Sequence, residues 1–193
     1  MSDFQFTVRP LNFIENGMDV EHQFFIATDA STVRKNVGCG IAIVNKNEGS
    51  ESIQTISYHT DKKDNNIGEA YAILLYLMHH DDPNSRVLIY VDSEIVLNRL
   101  YYLFTGVRTR CFTEISVELQ KVINEIADII NKRTERITFE HVRSHQDFGG
   151  QIVPIGNFLN ELADSAANEG RKEKCCVVSY MDQINGAFNN LKF

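Results

Sequence analysis

Arg86 to Val91, RVLIYV, is a near-continuous apolar run set between two stretches whose apolar residues recur at helical spacing. Such a run is a strand buried on both faces, and a strand with helices before and after it belongs inside a parallel or mixed sheet. Upstream, HQFFIAT (22–28), CGIAIV (39–44) and IQTISYH (53–59) follow one another across short turn-like segments, the spacing of an antiparallel meander. From Glu69 the period changes. Positions 70, 73, 74, 77 and 78 are apolar, so GEAYAILLYLMHH is a helix opened by Glu69 and running to the stop at Asp81-Asp82-Pro83. SEIVLNRLYYLF after Asp92 is helical, and Ile115, Leu119, Val122, Ile126 and Ile129 trace one stripe of a longer helix ending near Lys132. The strand RITFEHV (136–142) and a helix over about 157–169 follow, and Met181, Ile184, Phe188 and Leu191 give the tail helical spacing. The expected α/β fold is therefore a five-stranded mixed sheet, in the order βββ-α-β-α-α-β-α, flanked by helices and followed by a C-terminal tail helix. Residues 22–170 form its one domain, with an N-terminal extension over 1–21 and a C-terminal extension over 171–193.

The longest apolar run, AYAILLYLM, falls far short of the roughly 20 residues a membrane span needs. The N-terminus has no basic segment leading into an apolar core and a small-residue cleavage site, so the expected location is intracellular, cytoplasmic or nuclear. Cys39, Cys111, Cys175 and Cys176 contain no C-x-x-C pair and read as free thiols. DFGG at 147–150 comes without the glycine-rich loop or strand lysine of a kinase, and His79 and His80 at a helix end need no metal. A net charge of −7 argues against a protein that coats nucleic acid by bulk electrostatics. A polynucleotide partner would require a local basic track or bound metal.

Two of the predicted strands run into an acid, Asp29 in FFIATD and Asp92 in VLIYVD. In sheets of this kind, functional groups gather beyond strand ends, and these two apolar strands belong at the centre. Each acid alone is equally well a helix cap or turn residue. Glu69 alone is a first-turn acid favoured by the helix dipole, and Asp164, in NELADSAA, a solvent-facing one. Together, four acids at one end of a sheet would repel one another unless divalent cations neutralised them, and oxygen-only ligands select Mg²⁺ or Mn²⁺. Two such ions about 4 Å apart clamp a phosphodiester for in-line hydrolysis.

TDAS with Asp29, NNIGEAYAILLYL with Glu69, IYVDSE with Asp92, and HVRSHQ…GNFLNELADSAA with His145 and Asp164 resemble the type I ribonucleases H. The resemblance covers roughly residues 22 to 170. It implies a ribonuclease H-like fold and a Mg²⁺-dependent endonuclease that cuts the RNA strand of RNA–DNA hybrids, leaving 3′-hydroxyl and 5′-phosphate ends. Asp29, Glu69, Asp92 and Asp164 would then ligate two Mg²⁺ ions, with Mn²⁺ as a substitute and Asp29 bridging both. His145, on a glycine-bearing loop, would shuttle a proton or help release product, work that an imidazole suits near neutral pH. Asn65, Asn66 and Asn160, with Ser31 and Ser93, fall where the family contacts the substrate backbone and ribose, whose 2′-hydroxyl distinguishes RNA from DNA. His141 is read as structural.

The chain departs from the family pattern in three places. Ala30 stands where many members carry Gly, and Glu94 adds an acid two places after Asp92. The family's basic, Trp-containing protrusion has no convincing counterpart, since YYLFTGVRTRCFTE offers only Arg108 and Arg110. Position 31 is Ser, against the Asp-x-Glu of proofreading exonucleases, and NELAD differs from the terminal Glu context of integrases. One alternative from another class stays open: a weak or inactive ribonuclease H-fold module that binds nucleic acid or scaffolds.

Overall fold

The computed structural model describes residues 22–34, 36–45, 52–62, 64–143, 153–174 and 176–181. Its strands are β1 (Phe24–Val33), β2 (Asn36–Asn45), β3 (Ser52–Thr60), β4 (Val87–Val91), β5 (Ile137–His141) and β6 (Val177–Met181). The helices are α1 (Asn65–His79), α2 (Glu94–Thr105), α3 (Val117–Ile130) and α4 (Ile155–Glu173). One mixed sheet runs β5-β4-β1-β2-β3-β6, parallel across β5, β4 and β1 and antiparallel from β1 outward to β6. The ribonuclease H-like order expected from the sequence is present.

Among the described residues the sheet has six strands rather than five. Lys174 ends α4 in the left-handed conformation, and Val177–Met181 then pairs antiparallel with β3. VVSYM is a short β-branched and aromatic segment, but the longer spacing from Met181 to Leu191 dominated the reading of the tail. Beyond Met181 the expected tail helix lies outside the described residues.

Side chains alternate across the two faces of the sheet. Phe25, Ala27, Leu88 and Tyr90 pack with Leu159 and Ala163 of α4, while Ile26, Ile41, Ile89 and Val91 pack beneath α1, α2 and α3. This two-sided burial is why VLIYV carries no polar residue. Gly38 and Gly40 bring α4 unusually close to β2. A Cβ on Gly40 would lie 1.9 Å from the Ala163 carbonyl oxygen, and one on Gly38 would lie 2.0 Å from that of Ala167. The helix backbone thus rests directly on the strand.

The register decides what stands at the open end of the sheet. β1 pairs with β4 only as far as Thr28↔Val91, whereas its ladder with β2 continues through Asp29↔Gly40 to Val33↔Asn36. Asp29 is therefore inside β1 and not after it, but it is the first residue of β1 beyond the reach of β4. Asp92 is the first residue past β4.

Candidate metal centre

The chain end of β4 and the continuing edge of β1 set Asp29 and Asp92 side by side. Glu69 reaches them from α1. That helix starts earlier than its apolar pattern, because the Asp64 side chain accepts from the Ile67 N–H (3.2 Å) and caps it. Glu69 is consequently the fifth helical residue rather than the first, is 2% exposed, and points into the sheet end instead of into solvent at the dipole. Asn65 and Asn66 lie in the helix's first turn. Carboxylate oxygens of Asp29, Glu69 and Asp92 all lie within 4.8 Å of one another.

A single backbone N–H serves two of these acids: Ala30 donates to Asp29 Oδ1 (2.7 Å) and Glu69 Oε1 (3.2 Å). Ala30 is extended and buried, and its methyl packs where Gly68 leaves room, since a Cβ on Gly68 would come within 2.8 Å of it. The residue that replaces the family glycine is thus matched by a glycine opposite. Asn65 Nδ2 lies 3.4 Å from Glu69 Oε1, and Asn65 Oδ1 accepts from Thr32 Oγ1 (3.0 Å). Glu69 Oε2 is buried with no hydrogen-bond partner among the described residues. A buried carboxylate oxygen in that condition calls for a proton or a cation.

The electrostatics agree. Burial, then the Asp92 charge, pushes the Asp29 carboxyl up to about 7, with Asp164 adding to the rise. Burial, then Asp29 and Asp92, holds Glu69 well above the usual carboxylate range. The two carboxyls titrate as one coupled pair, each raised by burial and by its neighbours' charge. Protons do at this site what divalent cations would do, and a donor set made only of carboxylate oxygens fits Mg²⁺ or Mn²⁺.

Asp164 stands outside the group of three but near enough for its charge to act on Asp29. The close seat of α4 on Gly40 brings it there, for Gly40 is the partner of Asp29 and Ala163 immediately precedes Asp164. Its Oδ1 and main-chain carbonyl accept from Asn168 Nδ2 at 3.1 and 3.0 Å. Asn168 went unnoticed in the sequence, although it sits one helical turn beyond Asp164.

The remaining sequence candidates divide by role. Ser93, and not Asp92, caps α2, accepting from the Val96 N–H (3.4 Å), so Asp92 is free of that duty. Ser31 Oγ donates to Asn168 Oδ1 (2.7 Å) and accepts from Arg171 Nε (3.1 Å). Asn160 is buried, with its Oδ1 unpartnered among the described residues, while Asn65 is exposed and Asn66 half-buried. His145 lies outside the described residues. Arg143, at the near end of that stretch, has its carbonyl held by Asn157 Nδ2 (2.9 Å). His141 donates from Nε2 to the Asp92 carbonyl (3.1 Å), which anchors the backbone of a site residue and fits the structural reading. Glu94 is exposed in the first turn of α2.

Phe112, between α2 and α3, takes Arg99 (3.9 Å) and Tyr102 (edge to face) from α2 and Arg108 (4.9 Å) from the segment after it. This compact cluster is what stands in place of a long basic protrusion. No helix among the described residues is long and apolar enough to cross a membrane.

Comparisons with known proteins support the geometry. The RNase H family profile matches residues 21–172. Among solved structures, the chain is similar to LC9-RNase H1, a type 1 RNase H with the type 2 active-site motif, at 15% identity and TM-score 0.59, covering 89% of this chain and 82% of that one. It is also similar to RNase H1 from Halobacterium salinarum NRC-1, at 17% identity and TM-score 0.55, over 78% and 98% of the two chains. LC11-RNase H1, solved in complex with an RNA/DNA hybrid, matches at 19% identity and TM-score 0.54, over 78% and 98%. No curated protein is similar enough in sequence to count as a match.

Proposed function

Because the chain belongs to the RNase H family, we propose that it is a Mg²⁺-dependent endoribonuclease that hydrolyses the RNA strand of RNA–DNA hybrids, leaving 3′-hydroxyl and 5′-phosphate ends. The observation that carries this reading is the convergence of Asp29, Glu69 and Asp92 within 4.8 Å, with a buried Glu69 oxygen that has no hydrogen-bond partner among the described residues. Asp29, Glu69, Asp92 and Asp164 would hold two divalent ions. When bound, the ions activate the attacking water, stabilise the departing oxygen and offset the carboxylate charge that would otherwise repel a phosphodiester.

The protein's own groups prepare that arrangement. The Ala30 N–H orients Asp29 and Glu69 together, and His141 fixes the backbone from which Asp92 projects. His145 is the proton-transfer residue of this reading, because imidazole exchanges protons near neutral pH. Asn65 and Asn66, in the accessible first turn of α1, are the amides best placed for the substrate ribose and backbone. Ser31 and Ser93 contribute more through hydrogen bonds inside the protein. An inert module is the weaker reading, since a chain without catalysis has no need for mutually repelling buried acids.

The test is incubation with matched RNA–DNA, RNA–RNA and DNA–DNA duplexes, with and without Mg²⁺. Cleavage confined to the RNA strand of the hybrid, and only with the ion, is the expected result. An inert module would cut nothing and gain no stability from Mg²⁺.

A further inference from the structure

Asp164, Asn168 and Arg171 lie at positions i, i+4 and i+7 of α4, one stripe along the helix, and Ser31 of β1 meets that stripe. Asn168 Oδ1 accepts from Ser31 Oγ (2.7 Å) and from an Arg171 terminal nitrogen (3.2 Å), while Arg171 Nε donates to Ser31 Oγ (3.1 Å). Chemistry fixes the direction of this network. A guanidinium can only donate, so the Asn168 amide must turn its oxygen towards Arg171 and its NH₂ towards Asp164. That NH₂ holds Asp164 Oδ1 at 3.1 Å and its main-chain carbonyl at 3.0 Å. Gly38, the partner of Ser31 across the ladder, makes the approach sterically possible, since a Cβ there would lie 2.4 Å from the Arg171 main-chain nitrogen.

We propose that Ser31, Asn168 and Arg171 form a positioning relay that fixes the Asp164 carboxylate, with Oδ1 occupied by Asn168 and Oδ2 left to face a divalent ion. This inference rests on the nuclease reading of the site. Arg171 acts through Asn168 and Ser31, because Nε and a terminal nitrogen are committed to them. Its positive charge polarises the amide and sets its orientation. Without that donor the amide oxygen keeps only Ser31, and the hold on the Asp164 rotamer loosens.

The test compares wild type with Asn168→Asp, Asn168→Ala, Arg171→Met and Arg171→Lys. Asn168→Asp keeps size and the contacts to Ser31 and Arg171 while setting an acceptor against an acceptor at Asp164. Calorimetric titration of the substrate-free protein with Mn²⁺ should show a loss of affinity of about 10-fold or more in Asn168→Asp and Arg171→Met. Hybrid cleavage should show kcat lowered about 10- to 100-fold with KM within about two-fold. Arg171→Lys, which retains one donor, should fall between wild type and Arg171→Met, and thermal melts should show all variants folded. Unchanged Mn²⁺ affinity and kcat in both Asn168→Asp and Arg171→Met would overturn the relay while leaving the nuclease reading intact. A rise in KM at constant kcat in Arg171→Met would also overturn it, making Arg171 a substrate contact. A wild-type chain that neither takes up Mn²⁺ nor cuts hybrid would bring down the nuclease reading itself, and the relay's purpose with it.

Discussion

Asp29 and Glu69 share one backbone N–H, that of Ala30, and crowd against Asp92 where water has little access. Asp29 keeps its proton up to about pH 7 in the folded protein, against an ordinary value of 3.8. The metal-free folded state therefore binds more protons than the unfolded chain between about pH 4 and 7. The resulting contribution to stability is full below the lower value and is lost as pH rises through the upper one. Melts in EDTA should accordingly show the protein less stable at pH 8 than at pH 5.5. Asp29→Asn should flatten that dependence and stabilise the metal-free protein at pH 8 by about 1–3 kcal/mol, even as it removes a carboxylate from the proposed metal site. Stability that climbs from pH 5.5 to 8 in EDTA would contradict this sign. Asp92→Asn tests a separate point: because Ser93 caps α2, the change should cost under about 1 kcal/mol of folding stability and lower hybrid cleavage by at least about 100-fold. The acids themselves were legible, since strand ends and a small-residue helix mark them. The depth of Glu69 was not, because Asn65 and Asn66 carry no apolar signal and only the Asp64 cap reveals where α1 begins.

At the level of elements, the seat of α4 on β2 decides whether Asp164 joins the other acids. Gly40→Val would drive a side chain into the Ala163 carbonyl, lifting the helix and separating Asp164 from Asp29. It should lower stability by about 1–3 kcal/mol or more and weaken Mn²⁺ uptake, both readable in one series of melts with and without the ion. Gly40 in CGIAIV and Gly38 just before it carry no local sign of this role, because the helix they accommodate arrives more than a hundred residues later. β6 was hidden for a related reason: five residues of VVSYM become a strand through the free edge of β3, a partner over a hundred residues upstream. The Arg99–Phe112–Arg108 stack, by contrast, ties the start of the segment after α2 back to that helix through one ring. Arg108→Ala combined with Arg110→Ala should raise KM for hybrid with little change in kcat and reduce the salt dependence of binding, measured as KM from about 50 to 200 mM salt.

For the whole molecule, the sequence of connections was the most readable feature. Three strands joined by short turns must be antiparallel, and VLIYV between helices must be a buried parallel neighbour, so the centre of the sheet and its acidic end follow together. On the proposed reading, a chain of net charge −7 that handles a polyanion would draw its attraction from bound cations and from local arginines such as Arg108. The most direct measurement is anomalous diffraction from Mn²⁺-loaded crystals of the protein with a non-cleavable RNA–DNA hybrid. The account predicts two anomalous peaks about 4 Å apart, both against Asp29, with Glu69, Asp92 and Asp164 among their ligands. Manganese found only on the outer surface, with these four carboxylates unliganded beside the bound hybrid, would contradict it.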